Sequence, residues 1–183
     1  MKFKAIVWLA VFVVACGPGE QVQVQRYLAR TDRSVEEFVR LFRQLDELGG
    51  RLREERGGSP LTRARAAALA SSLGPRLKQL RTDLDVAAQG VRHLTPPRSA
   101  RRYSEILCQG FAHATRALQS GDELLSEVGR GEQVSLTHVA GLLGELIRSL
   151  EQTGTCAREA ELERMRLIDE FQLQTGPDGL VLE

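Results

Sequence analysis

Histidine and cysteine are the residues of this chain best suited to acid–base, nucleophilic or metal chemistry, and the chain has three of each. On the helices that the sequence predicts, His93 lies near one end of the molecule, His113 in the middle and His138 near the other end. Three side chains so far apart do not converge on one substrate or metal. The motifs HExxH, CxxC and GxSxG and the phosphate-binding glycine loop are also missing from the sequence. We therefore predict no catalytic residue, no metal site and no cofactor.

Helical bundles also bind metals and haem through inward-facing side chains, and neither ligand set is present. Carboxylate metal sites use a glutamate followed three residues later by histidine, and neither Glu105 nor Glu145 is followed in this way. Haem held by histidine and methionine needs a suitably placed methionine, and Met165 is the only one after the first residue. No CxxCH motif is present for covalent haem attachment.

The N-terminal segment has the composition of a secretory signal. Lys2 and Lys4 are basic, and Ala5 to Ala15 form an unbroken apolar run. This run is shorter than the ~20 residues that a membrane-spanning helix needs. A basic head, a short apolar core and a small residue before the cleavage point are typical of an exported protein.

The segment closes with an aliphatic pair, a small residue and a cysteine: Val13, Val14, Ala15 and Cys16. These four residues resemble the lipobox of bacterial lipoproteins. The resemblance implies that residues 1–15 are a signal peptide, that Cys16 is lipidated with palmitate-type chains, and that residues 16–19 are a tether. It also implies a lipid anchor in the cell envelope, facing the periplasm. Gly17 is not the aspartate associated with inner-membrane retention, which favours the outer membrane; the alternative is an ordinary signal peptide.

The composition of the remaining chain favours an all-helical domain without affinity for nucleic acid. Removal of Lys2 and Lys4 takes the formal net charge from +1 to −1, so no global basic field remains to attract nucleic acid. Alanine, leucine, arginine and glutamate dominate, and these are strong helix formers.

Four segments repeat apolar residues at alternating steps of three and four, which predicts long helices with one buried face. They begin near Glu20, Pro60, Pro97 and Ser135. Because short connectors make consecutive helices antiparallel neighbours, we predict an up-down-up-down antiparallel four-helix bundle over residues 20–175, with a flexible tail at 176–183. The alternative is a pair of hairpins that need a partner to bury their outer faces.

Some features of these helices leave alternatives open. Gly74-Pro75 predicts either a kink or a break in the second helix. Arg26, Arg30 and Arg33 near the anchor contact either solvent or anionic headgroups. Arg164, a charge within the buried face of the fourth helix, pairs with a carboxylate, reaches past the core edge or contacts a ligand.

A disulfide bond between Cys108 and Cys156 is the remaining prediction for a site. The two cysteines lie about 24 residues before and after the turn between the third and fourth helices, and therefore at one level of an antiparallel pair. Export would allow them to oxidise. The alternative is two buried free thiols.

Two functions compete on these observations. The first is a membrane-anchored envelope lipoprotein that acts as a non-catalytic helical scaffold and binds an envelope protein of unknown identity. The second is a periplasmic ligand-binding or sensing bundle that holds a small apolar molecule or cofactor between its helices. The small residues of the third helix from Gly110 to Gly121 distinguish them, because they either bring a neighbouring helix close or line a cavity.

Overall fold

The computed structural model describes residues 19–56, 63–130, 136–177 and 179–182. This part of the chain contains four long helices: α1 (Glu20–Arg56), α2 (Arg63–Arg92), α3 (Arg101–Arg130) and α4 (Leu136–Phe171). A short 3-10 helix, Arg98–Ala100, precedes α3. The described residues contain no β-strand, which confirms the predicted all-helical class. No described helix combines the length and apolar character needed to cross a membrane.

Several predictions fall outside the described residues. They are the signal peptide, Cys16 with most of its tether, the connector around Pro60, and Ser135 as the cap of α4. Immediately after the tether, Val22 N donates to Gly19 O at 2.9 Å, so α1 begins where the sequence predicts.

Helix α3 supplies the centre of the core, as its regular pattern predicts. Its inward face is buried from its first turn to Gly121, with Ala100 of the preceding 3-10 helix in line: Ala100, Tyr103, Leu107, Gly110, Ala114, Ala117 and Gly121. Leu124 is half-buried. Two aromatic pairs join α3 to α1. The ring centroids of Tyr27 and Tyr103 are 6.4 Å apart, and those of Phe38 and Phe111 are 4.8 Å apart, both edge to face.

The small residues of α3 allow close approach of the helices on either side. A Cβ atom placed on Gly110 would lie 3.3 Å from Cβ of Cys156 in α4. One placed on Gly121 would lie 3.7 Å from Cδ1 of Leu77 in α2. At both ends of this stretch, a neighbouring side chain therefore fills the space that the glycine leaves.

The buried face of α4 differs from the predicted one in the first half of the helix. The sequence pattern assigns Leu143 and Leu150 to the buried face, but Leu143 is 37% exposed, and Leu142 and Ser149 are buried instead. The buried face thus starts one residue earlier and reaches Cys156. This rotation directs small side chains towards α3, which permits the close approach at Gly110.

Helix α2 continues through Pro75. Of the two alternatives for Gly74-Pro75, the complete break is therefore wrong. The position is exposed, and a Cβ atom on Gly74 would meet nothing within 4 Å. The helix therefore lacks the backbone hydrogen bond of Pro75 on its exposed side, away from the neighbouring helices.

The chain reverses after α4 instead of continuing as a loose tail. Gln172 has φ 49°, Leu173 N donates to Ile168 O at 3.0 Å, and Gln172 N donates to Asp169 O at 3.3 Å. These are the hydrogen bonds of a Schellman motif, with glutamine where glycine is usual. The helix therefore ends at Phe171, before the Gly176-Pro177 stop that the sequence predicts.

The residues after this motif, 172–177 and 179–182, form a C-terminal hairpin. Thr175 and Val181 make an isolated antiparallel bridge, and Gly176 N donates to Leu180 O at 2.8 Å. Leu173 and Val181 are buried in the main core. The hairpin is held because these two apolar side chains leave water, a contribution that the expectation of a flexible tail omitted.

Candidate functional site

The most concentrated polar constellation in the described chain is a buried ion pair between α1 and α4. Arg164 Nε donates to Asp32 Oδ1 at 2.9 Å, and Arg164 Nη2 donates to Asp32 Oδ2 at 2.9 Å. Asp32 is 3% exposed and Arg164 is 9% exposed. Of the alternatives for Arg164, pairing with a carboxylate is the one that the structure contains.

The C-terminal hairpin completes the hydrogen bonding of this pair. Val181 N donates to Asp32 Oδ2 at 2.9 Å, and Arg164 Nη2 donates to Gly179 O at 2.7 Å. Gly179 has φ +79°, a conformation that side-chain-bearing residues rarely adopt. A buried ion pair offsets its loss of hydration only when further hydrogen bonds satisfy its remaining groups, and the hairpin supplies them.

The charge on Arg164 is stabilised by its surroundings. The hydrogen bonds that Arg164 donates to Asp32 raise the pKa of the Arg164 guanidinium, and burial opposes that rise without reversing it. Tyr103 lies close to the pair, and burial raises the pKa of its hydroxyl well above the usual value. The arrangement is a fixed, satisfied salt bridge, which suits it to holding α1, α4 and the hairpin together rather than to proton transfer.

Further hydrogen bonds join the chain segments at this end of the molecule. Gln21 Nε2 donates to Phe171 O at 2.9 Å, and Gln25 Nε2 donates to Leu182 O at 2.7 Å. Ser99 N donates to the Glu20 carboxylate at 3.3 Å. The start of α1, the connector before α3, the end of α4 and the hairpin thus form one assembly, here called the anchor end because it follows Cys16, the residue that the sequence predicts to carry the lipid.

Two open clefts flank this assembly. A cleft of about 410 Å³ beside the ion pair is lined by residues of both charges, including Arg40, Arg43 and Glu161. A second cleft, of about 440 Å³, lies between α1 and the connector from α2 to α3, and its charged residues are Arg26 and Arg30.

The histidines singled out in the sequence lie on three different elements. His93 follows the end of α2, His113 lies in the middle of α3, and His138 lies at the start of α4. Nδ1 of His113 is buried without a hydrogen-bond partner among the described residues. No three histidine, cysteine, aspartate or glutamate side chains of the described ranges cluster as a metal site requires.

Cys108 and Cys156 are both free thiols in the structure. Gly110, rather than Cys108, faces Cys156. Because residues two apart on a helix are separated by about 200°, Cys108 and Gly110 project from opposite sides of α3. The disulfide bond therefore stays a prediction, and its formation requires α3 to turn relative to α4. Burial raises the pKa of the Cys156 thiol, which lowers its reactivity in this position.

Sequence reasoning identified Arg164 as a charge in the core but did not identify Asp32 as its partner. The available signal was a short acidic side chain next to Thr31, a polar residue within the buried face of α1. No sequence signal indicated that Val181 and Gly179 form hydrogen bonds with the ion pair. They reach it only because the chain reverses after Phe171, and that reversal depends on a glutamine in an uncommon conformation.

No protein-family model, curated protein or solved structure matches this chain.

Proposed function

We propose that the protein is a lipid-anchored lipoprotein of the cell envelope whose helical domain is a non-catalytic scaffold that binds another envelope protein. Residues 1–15 are its signal peptide, and Cys16 carries the lipid. The domain faces the periplasm, with the outer membrane as the favoured site. Helix α1 begins at Glu20, so three residues separate Cys16 from the folded domain, and the four steps of chain between them hold the domain within about 14 Å of the anchor.

The observation that carries the scaffold proposal is four exposed apolar side chains on one side of α4, here called the α4 row: Leu143 and Ile147 form one pair, and Leu162 and Met165 form a second pair beyond the exposed Glu151 and Arg158. At about 100° per residue these four positions fall within an arc of about 100° of the helix surface. Leu162 is 68% exposed and Met165 is 52% exposed. Apolar residues aligned on one face are typical of a surface that packs against another protein.

The helix order that we infer for this scaffold is up-down-up-down. Two contacts between α1 and α4 support it, because Gln21 lies against Phe171 and Asp32 pairs with Arg164, so the numbering runs in opposite directions. The aromatic pairs between α1 and α3 run in the same direction, from Tyr27–Tyr103 to Phe38–Phe111. Consecutive helices in this order leave α1 and α3 parallel, as these pairs require.

The competing proposal, a bundle that holds a small apolar molecule between its helices, has less support. The small-residue stretch of α3 that was expected to line such a cavity contacts Cys156 at Gly110 and Leu77 at Gly121. Both clefts of the anchor end are open and carry charged residues, whereas sites for apolar ligands are mostly enclosed and apolar.

Chemical cross-linking in intact cells, followed by purification of the protein and mass spectrometry, tests the scaffold. The variant Leu162→Gln/Met165→Gln removes the most exposed apolar side chains of the α4 row without touching the core. Val86→Gln is the matched control, because Val86 is 65% exposed but lies on α2. We expect the native protein and the control to be cross-linked to the same envelope protein, and the double variant to lose it.

A partner that cross-links equally to the double variant contradicts the role of the α4 row. Purification of a stoichiometric small molecule, with no cross-linked protein, favours the ligand-binding alternative instead. Circular dichroism of each variant establishes that the helices are retained.

A further inference from the structure

The second cleft of the anchor end is a basic pocket beside the start of α1. Arg26 and Arg30 line it from α1, and His93, Pro96 and Pro97 line it from the connector between α2 and α3. None of the described residues that line this cleft is an aspartate or glutamate. The other cleft differs, because Asp32 and Glu161 balance its arginines.

The two arginines of the basic cleft form no ion pair with a carboxylate of the described residues. Arg40, Arg164 and Arg166 form ion pairs with carboxylates, but neither Arg26 nor Arg30 is ion-paired within the described chain. Arg26 and Arg30 are four residues apart and therefore adjacent on the face of α1, an arrangement in which like charges repel. An anion bound between them would relieve this repulsion.

The walls of the cleft are held in place by the fold. Tyr27, which also lines the cleft, is 3% exposed and packs edge to face on Tyr103. In the connector, Leu94 N donates to Val91 O at 3.1 Å and Ala100 N donates to Pro97 O at 3.0 Å. Pro96 and Pro97 fix two backbone angles between these bonds. The basic groups thus surround a preformed space.

We propose that this cleft binds the phosphate group of an anionic phospholipid headgroup in the membrane that holds the anchor. Each guanidinium presents a planar fork of donors that matches two oxygens of a phosphate. A volume of about 440 Å³ accommodates a headgroup, and the opening of the cleft lets the acyl chains remain outside.

The position of the cleft favours a lipid as the source of the phosphate. This step rests on the proposed lipidation of Cys16, which lies four residues before Glu20 and within about 14 Å of it. Arg26 follows Glu20 by about 9 Å along the helix axis. Arg30 follows Glu20 by about 15 Å, so the proposed anchor holds both arginines within about 30 Å of Cys16, at the end of the molecule that it directs towards the headgroup phosphates.

Titration calorimetry on the full protein, purified from the envelope in an uncharged detergent, tests the proposal. The probes are dihexanoyl phosphatidylglycerol, dihexanoyl phosphatidylcholine and inorganic phosphate. We expect saturable binding of phosphatidylglycerol, with affinity roughly tenfold or more above that for phosphatidylcholine and for inorganic phosphate. Arg26→Gln/Arg30→Gln should weaken phosphatidylglycerol binding by roughly tenfold or more, because two charge-assisted contacts are lost.

Arg148→Gln/Arg158→Gln is the control, since it removes the same charge from two exposed positions of α4 and should leave binding unchanged. Equal affinity for inorganic phosphate would overturn the lipid as the ligand. Absence of saturable phosphatidylglycerol binding, or equal loss in both double variants, would overturn the site itself. Intact mass of the same sample reports lipidation, so an unlipidated protein that still binds through Arg26 and Arg30 refutes the anchor and not the cleft.

Discussion

Asp32 joins three parts of the chain that are far apart in sequence, since its carboxylate accepts hydrogen bonds from Arg164 in α4 and from Val181 in the C-terminal hairpin. The sequence pattern identified Arg164 because a charge interrupted the apolar spacing of its helix. Asp32 lies at the edge of the α1 pattern, where a polar residue causes no interruption. A charged residue in the core can thus be recognised from the sequence. Which of the 24 acidic residues pairs with it depends on how the helices pack, and the sequence does not show this.

Breaking the ion pair from one side should destabilise the protein strongly. Asp32→Ala leaves a buried guanidinium without its carboxylate, and we expect a loss of about 3–5 kcal/mol in the free energy of unfolding. Asp32→Leu and Arg164→Met each break the pair from one side, and the double variant Asp32→Leu/Arg164→Met, which removes both charges, should lose clearly less than the sum of these two single substitutions. Urea denaturation of the variants measures the differences, and additive losses would contradict direct coupling of the two residues.

The buried tyrosines predict a dependence of stability on pH. Burial raises the pKa of Tyr27 and of Tyr103 in the folded state above the ordinary value of about 10. The folded state therefore retains these protons better than the unfolded state. The free energy of unfolding should be unaffected below pH ~9 and should fall as the pH rises above ~10.

Tyr103→Phe should reduce the slope of this loss without lowering stability at neutral pH. The Tyr103 hydroxyl is buried near Thr31, whose own hydroxyl donates to Leu28 O, and it has no well-formed hydrogen bond to a described residue. Removing an unpaired buried hydroxyl is close to neutral or gains up to about 1 kcal/mol. Urea denaturation at pH 7 and at pH 11 provides the comparison. A loss above 1 kcal/mol at pH 7, or an unchanged alkaline slope, would contradict this prediction.

At the level of elements, the sequence predicted the helices well and their faces less completely. The three- and four-residue spacing predicted α1 from Glu20 to Arg56, as the structure has it, and it predicted the buried face of α3. In α4, the spacing of apolar residues places Leu143 on the buried face. In the structure the smaller Ser149 and Cys156 are on that face instead, because α3 approaches closely at Gly110. Periodicity gives the spacing of a buried face, but the fit of side chains between two helices decides its phase.

The end of α4 was misplaced for a different reason. Glycine and proline are the usual stop signals, and they predict a terminus at Gly176-Pro177. Gln172 ends the helix instead, because its positive φ allows the Schellman hydrogen bonds and Leu173 reaches the core beside Ile168. A stop that depends on burial of the following side chain has no local sequence signal.

Substitution of a glycine by alanine should have opposite effects on stability inside and outside the contact between α3 and α4. Gly110→Ala places a Cβ atom 3.3 Å from that of Cys156, so the backbone that carries Cys156 must shift by a few tenths of an ångström, and we expect a loss of about 1–3 kcal/mol. Gly144→Ala, on an exposed position of α4 with nothing within 4 Å, should gain about 0.5–1 kcal/mol through the helix preference of alanine. Thermal denaturation followed by circular dichroism measures both. A gain in stability for Gly110→Ala would contradict the tight contact on which the scaffold proposal depends.

At the scale of the whole molecule, the side-chain hydrogen bonds that join different elements of the described chain lie at the anchor end, and the α4 row lies on the outer side of α4. The ion pair, the C-terminal hairpin and the basic cleft lie near the first turns of α1. Of the α4 row, Leu143 and Ile147 lie in the half of α4 that is farther from this end, whereas Leu162 and Met165 flank Arg164 on the outer side of the helix. We infer a division of roles, in which one end faces the membrane and the outer side of α4 contacts the partner.

The all-helical class followed from composition and periodicity, because helix formation depends largely on local preferences and on one buried face. Neither composition nor periodicity identifies the partner. A scaffold binds through surface complementarity, and complementarity requires the second surface. The most specific prediction from the sequence is the location of the protein, which rests on the four residues Val13 to Cys16.

Intact mass spectrometry of the protein extracted from the cell envelope tests the central claim most directly. We predict the mass of a chain that begins at Cys16, increased by a diacylglyceryl group and an N-linked acyl chain. The Cys16→Ser variant should instead yield the uncleaved precursor or an unlipidated chain in the soluble periplasmic fraction, whereas Cys108→Ser should leave processing and location unchanged. A native protein that retains residues 1–15, or that is cleaved but carries no lipid, would contradict the account.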